Sequence, residues 1–202
     1  MRSQVTTKKG DAGTTRTLGG TVVSKSHPTI ECTGALDALR AHTALLRLRI
    51  QDQRTAEPAL DGFLNWLLHV YFLIGAEVND PEGLHPEYRR DIVGPTHVER
   101  LEREQAVIEA QVRLPKAFIV SASNVLAAEV DLLATTARTF ERELVRLKEV
   151  VPAFQAAALL AFTNRLSDTL YMLARYLEVG KHIPVDYEVL APKVDTTGQE
   201  GV

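Results

Sequence analysis

From Leu60 to Val78, apolar side chains recur every three or four residues: Leu60, Phe63, Leu64, Leu67, Tyr71, Ile74 and Val78. That spacing keeps to one face of a 3.6-residue helix and cannot alternate as a half-buried strand does. Such a stripe needs other apolar faces to cover it, and the rest of the chain supplies them at the same period. Leu36, Leu39, Leu46 and Ile50 begin a first helix, and Val98, Leu101, Ile108 and Val112 mark a third that Leu114-Pro115 ends. A fourth helix runs from about Asn124 to Val150, carried by Ala137, Phe140, Leu144, Leu147 and Val151. The fifth follows Pro152 with a seam of Leu159, Phe162, Leu166, Leu170, Leu173 and Leu177, and closes near Gly180. Asp80-Pro81-Glu82-Gly83 and Gly94-Pro95 punctuate the polar connection between the second and third helices. The expected fold is all-α, a five-helix bundle forming one domain over residues 1–184. Within it, residues 1–28 lack a helical period and read as extended segments and loops, while the tail 185–202 lacks an apolar face and is expected to be loose.

The chain has 202 residues, 45% hydrophobic and 24% charged, the proportions of a globular protein. Its one cysteine, Cys32, excludes an intrachain disulfide and a cysteine-based metal site. The start, MRSQVTTKKGDAGTT, has no apolar core of a signal peptide, and no apolar run approaches the ~20 residues that span a bilayer. A reducing compartment, the cytoplasm, is therefore expected. Net charge is -3, with no basic stripe interleaved with aromatics, so the expected partner is a small molecule or another subunit rather than nucleic acid or membrane. The six histidines, among them His42, His69 and His97, form no ligand spacing.

Chemistry concentrates first in Thr7-Lys8-Lys9-Gly10-Asp11-Ala12-Gly13-Thr14-Thr15-Arg16. Glycines admit close approach of backbone N–H groups to an anion, hydroxyls donate further hydrogen bonds, and cations neutralise charge, as a polyphosphate requires. The order is not that of a Walker A loop, and composition alone equally admits a solvated basic turn. On the fourth helix Arg138, Glu141 and Arg142 lie three and four apart, hence on one face, where they form either an anion site or a surface ion-pair set. On the fifth, Asn164, Arg165 and Asp168 interrupt a leucine-lined helix. Arg165 and Asp168 suit the bundle or a subunit interface.

Taken jointly, these segments resemble the PduO-type ATP:cob(I)alamin adenosyltransferase family. TKKGDAGTT is similar to its T-K-x-G-D-x-G-x-T signature, and Val23-Ser24-Lys25 with Pro28 continues it in register. Gly34-Ala35-Leu36-Asp37-Ala38-Leu39, Phe72-Leu73-Ile74-Gly75-Ala76-Glu77, Leu114-Pro115-Lys116-Ala117-Phe118-Ile119, Arg138-Thr139-Phe140-Glu141-Arg142 and Asn164-Arg165-Leu166-Ser167-Asp168 follow in family order, so the resemblance covers roughly residues 5–178. It implies transfer of the 5'-deoxyadenosyl group from ATP to cob(I)alamin. By the same resemblance Thr7, Lys8, Lys9, Gly10, Asp11, Gly13, Thr15, Arg16 and Lys25 bind the triphosphate, with Mg²⁺ brought by ATP. Arg138, Glu141, Arg142 and Asn164 join them from the bundle. Phe118 sits beneath the corrin and helps exclude the lower axial ligand, which makes Phe118 and Arg138 the implied catalytic pair. A homotrimer with the nucleotide between subunits is also implied.

The chain departs from the family pattern at several of these places. The arginine one turn before Arg138 is Ala134, the second arginine of R-R is Thr139, and P-G-G after Phe118 is Ser121-Ala122-Ser123. These departures leave open a catalytically impaired relative that binds ATP or a corrinoid as a sensor, carrier or chaperone. Asp37, whose partner across the subunit interface is the missing arginine, is expected to pair instead with Arg40 at i+3, as a partly buried carboxylate needs a cation or water.

Overall fold

The computed structural model describes Thr6, residues 8–52 and residues 57–190. Five helices carry the fold: α1 Pro28–Gln51, α2 Pro58–Asn79, α3 Pro95–Glu109, α4 Val125–Val150 and α5 Ala157–Leu177. α1, α2 and α3 each begin with proline, whose missing N–H costs nothing in the first turn. α1 starts a full two turns before Leu36, because His27 caps it, its Nδ1 accepting from Thr29 N at 3.2 Å. Thr29 and Cys32 then extend the buried stripe backwards. α3 stops at Glu109, short of Val112. There the chain tightens into i→i+3 bonds, Gln111 N to Ile108 O at 3.0 Å and Val112 N to Glu109 O at 3.1 Å. Asn124 caps α4, its side chain accepting from Ala127 N at 2.9 Å.

α1 packs between α2 and α4, and α5 packs between α4 and α3. Their facing stripes form one core that includes Leu39, Leu64, Ile74, Leu101, Leu133, Phe140, Phe162 and Leu173, all fully buried. Trp66 of α2 closes the bundle on its other side, its ring 6.1 Å from Phe162 of α5 and 6.4 Å from His97 of α3. By length and composition α2 is apolar enough to cross a membrane, against the expectation that no run comes near. The interruptions at Asp61, Asn65 and His69 hide this from a search for unbroken runs, and the apolar face goes into the core.

Among the described residues four short strands accompany the helices. β1 Thr14–Arg16 and β2 Val22–Ser24 form an antiparallel hairpin, with Thr14 opposite Ser24 and Arg16 opposite Val22. β3 Ile119–Val120, between α3 and α4, pairs with β4 Ile183–Pro184 beyond α5. The segment just past Pro184 is tied rather than loose: Val185 N donates to Phe118 O at 2.8 Å. The remainder of the expected loose tail, from residue 191, lies outside the described residues.

Candidate functional site

The hairpin gathers the N-terminal donors. Turning at residues 17–21, it returns Lys25 to the glycine segment, where Lys25 N donates to Gly13 O at 2.9 Å. The Lys25 ammonium lies 3.2 Å from where a Cβ on residue 10 would sit, so the glycine at 10 makes room for that cation. Gly13 has φ +78°, a conformation glycine adopts without strain. Lys8, Lys9, Asp11 and Lys25 are exposed, Gly10 and Thr15 half-buried. Arg16 is exposed and gives one N–H to Gly20 O at 2.8 Å, keeping its other donors. Thr7 lies outside the described residues. The hairpin tip is seated on the loop after α2, so closely that a Cβ on Gly19 would overlap the His85 ring.

A second cluster forms at β3. Phe118, just before the strand, is 79% exposed and lines a cavity of about 360 Å³ together with Asp131, Ala134, Arg138, Tyr171 and Arg175. The structure thus brings Phe118 and Arg138 to one cavity, which is lined by no described residue of the N-terminal segment. Arg138 and Arg142 are exposed on α4 and Glu141 between them is half-buried. Arg142 donates to Thr139 Oγ1 at 2.9 Å. Ala134 is 4% exposed and leaves the cavity wall uncharged at that point. Asn164 is exposed on α5, accepting from Arg165 Nη1 at 2.9 Å, while Arg165 Nε reaches Glu102 of α3 at 3.1 Å. Arg165 therefore ties two helices and does not pair with Asp168. Asp37 pairs with Arg40 at 2.8 Å, and Arg40 also covers the Phe72 ring at 5.1 Å. Within one chain the Asp37 side chain is 56% exposed, not partly buried.

Sequence reasoning passed over a buried charge cluster behind this cavity. Arg175, 2% exposed, donates to Asp131 Oδ2 at 2.7 Å, and its Nε lies 3.2 Å from Glu178 Oε2. Glu178, 1% exposed, also accepts from Ser123 N at 2.8 Å and contacts His182 Nδ1 at 2.7 Å. Arg175, Glu178 and His182 are spaced by three and four at the end of a leucine-lined helix, the signal that could have found them. Between Phe118 and Ser123 the chain passes through Ala122 at φ +56°, which costs an alanine about 1 kcal/mol. Elsewhere, burial pushes the Cys32 thiol up to about 12 and the Tyr71 phenol up as well. Burial also raises Glu77, against the hydrogen bond it accepts from Val93 N at 2.9 Å.

An exposed aromatic and an arginine thus line one cavity of a helical bundle whose chain opens with a glycine-, threonine- and lysine-rich hairpin. The chain belongs to the cobalamin adenosyltransferase family, whose model matches residues 5–177. It is 34% identical over 179 residues to the corrinoid adenosyltransferase PduO of Salmonella typhimurium, covering 87% of this chain and 50% of the relative. It is 28% identical to a corrinoid adenosyltransferase of Citrobacter freundii, covering 87% of this chain and 95% of that one. The chain spans about half the length of the two PduO relatives it matches. Among solved structures, a variant PduO-type ATP:corrinoid adenosyltransferase from Lactobacillus reuteri, complexed with cobalamin and ATP, has the same fold. It superposes with a TM-score of 0.77 at 24% identity, covering 89% of this chain and 97% of that one.

Proposed function

We propose that this chain transfers the 5'-deoxyadenosyl group of ATP to cob(I)alamin, giving adenosylcobalamin and triphosphate. The observation that carries the reading is the meeting of Phe118 and Arg138, from different elements, at one cavity. In the reaction the cobalt(I) electron pair attacks the ribose C5', a Co–C bond forms, the C5'–O bond breaks, and triphosphate leaves with its electrons. No proton is transferred, so the protein's work is placement and charge. Lys8, Lys9, Gly10, Asp11, Gly13, Thr15, Arg16 and Lys25, with Thr7, hold the triphosphate. Arg138 and Arg142 add charge to it, and Glu141 and Asn164 accept from or orient the nucleoside. Among the described residues no group of three or more His, Cys, Asp or Glu converges on one point. Mg²⁺ would be brought by ATP and would neutralise phosphate charge beside these residues. Phe118 presents an apolar face where the lower cobalt ligand would sit.

Because no described residue of the N-terminal segment lines the Arg138 cavity, we place the complete nucleotide site between adjacent subunits of a homotrimer. The need for cobalt(I) places the reaction in the reducing cytoplasm. Anaerobic mixing with ATP and chemically reduced cob(I)alamin tests the activity. The cob(I)alamin absorption is expected to decay into that of a light-sensitive alkylcobalamin. Binding of ATP and corrinoid with no spectral conversion would instead favour a non-catalytic binder, a reading to which the uncharged Ala134 and the strained Ala122 lend support. Sedimentation of a monomer that still binds ATP at full affinity would overturn the shared site.

A further inference from the structure

We propose that Glu178 is the positioning residue that sets Phe118 at the corrinoid cavity. The segment from Phe118 to Asn124 connects β3 to α4 and has little of its own to define it. It passes through Ala122 at φ +56°, a conformation that must be held from outside. Phe118 is 79% exposed, so packing does not fix its place either. What holds the segment is the far end of the fold. The Glu178 carboxylate, 1% exposed, accepts from Ser123 N at 2.8 Å, across a sequence separation of 55 residues. Its second oxygen is held from the other side by His182 Nδ1 at 2.7 Å, with the Arg175 guanidinium beside it as an ion pair, Nε at 3.2 Å but not hydrogen-bonded.

That arrangement does two things at once. One oxygen pins the turn immediately after the strained alanine. The other, through His182, fixes the approach to β4, whose Ile183 and Pro184 pair with Val120 and Ile119, and Val185 N then donates to Phe118 O at 2.8 Å. The loop bearing Phe118 is thus held at both ends by one buried carboxylate, and Asn124 Nδ2 adds a bond to Leu177 O at 2.9 Å. Without an acceptor at Ser123 N, nothing in this network compensates the left-handed alanine, and Phe118 loses its fixed distance from Arg138.

This inference rests on the reading of Phe118 as the group beneath the corrin, and its test is built so that the two fail separately. Two variants divide the carboxylate's functions. Glu178→Asp keeps the charge beside Arg175 and His182 but retracts by one methylene from Ser123 N. Glu178→Gln keeps the reach and an acceptor oxygen while removing the charge. Each is compared with wild type and Phe118→Ala for the fraction of bound cob(II)alamin that has lost its lower ligand, read by absorbance with ATP present. Affinity for ATP and helical circular dichroism are followed in parallel. Glu178→Asp is expected to lower that fraction about two- to tenfold, the effect of one lost hydrogen bond, with ATP affinity unchanged. Glu178→Gln is expected to stay within about twofold of wild type, and Glu178→Asp with Phe118→Ala to be no worse than Phe118→Ala alone. Additive losses in the double variant, a wild-type fraction in Glu178→Asp, or equal losses in the Asp and Gln variants would overturn the proposal. Wild-type protein that binds cob(II)alamin without changing its lower ligand would instead overturn the role of Phe118 itself.

Discussion

Arg175→Met removes a fully buried guanidinium while nearly keeping its volume, and so isolates charge from packing. Two carboxylates lose a partner. The Asp131 side chain is 22% exposed and can take water, so its share of the cost is small. Glu178 is 1% exposed and has no access to water, but it keeps the Ser123 N–H and His182. Breaking a buried pair by deleting one partner costs about 3–5 kcal/mol, and the surviving contacts put this case at the lower end, about 3 kcal/mol. For a chain of this length that is about 6–12 °C in Tm. Urea unfolding followed by circular dichroism reads it directly as a lower midpoint at unchanged slope. Arg175→Lys is expected to recover part of the loss, since an ammonium restores the charge without the two-sided reach of the guanidinium. A Met variant within about 1 kcal/mol of wild type, or a Lys variant no better than Met, would show that the cluster contributes packing rather than charge pairing.

Lys9→Ala and Arg138→Ala are each expected to weaken ATP about ten- to a hundredfold with helical content unchanged, as charge-assisted contacts to phosphate do; calorimetry returning wild-type affinity for both would mean the nucleotide lies elsewhere. Glu77 has its folded pKa raised by burial, so the native state holds its proton more tightly than the unfolded chain does. Its ionisation therefore erodes stability as pH rises from the unfolded value, about 4.3, through the raised folded value. Glu77→Gln, which can still accept from Val93 N, is expected to match wild type at low pH and exceed it at pH 7; equal urea midpoints at both would refute this. Cys32 is fully buried and its thiol is pushed up to about 12, so a thiol reagent is expected to label it only at the rate of unfolding. Labelling of native protein as fast as a free thiol would contradict its burial.

The helices were legible because burial on one face leaves a periodic trace, and all five fall where Leu60 to Val78 and its counterparts place them. Their ends were less so: α1 is extended to Pro28 by a histidine cap and by Thr29 and Cys32, which carry weak apolar signal. The shared face of Arg138, Glu141 and Arg142 could be read because local spacing determines it, whereas the Gly-Thr-Lys segment could be read only as extended chain and loop, not as the hairpin it forms. Asp37 and Arg40 could be paired for the same reason, i to i+3, whereas the degree of exposure of Asp37 could not. The Asp131–Arg175–Glu178–Ser123 chain was illegible in full, since contacts over 44 and 55 residues leave no period behind them. Only the spacing of Arg175, Glu178 and His182 across the end of α5 is written locally.

The pairing of β3 with β4 puts the order of synthesis into the site. Phe118 and Arg138 emerge from the ribosome well before residues 178–185, yet the loop carrying Phe118 receives its partner strand and its buried carboxylate only from that later stretch. A nascent chain that has completed α4 holds the aromatic and the arginine without the bonds that fix their distance. The bundle also needs a long-range contact, α1 against α4, but both of those helices are made before residues 178–185, so the cavity is the last part of the fold that can close. Chains cut just after Leu177 would keep all five helices and every residue proposed to touch a substrate, and would still lack the geometry that makes those residues a site.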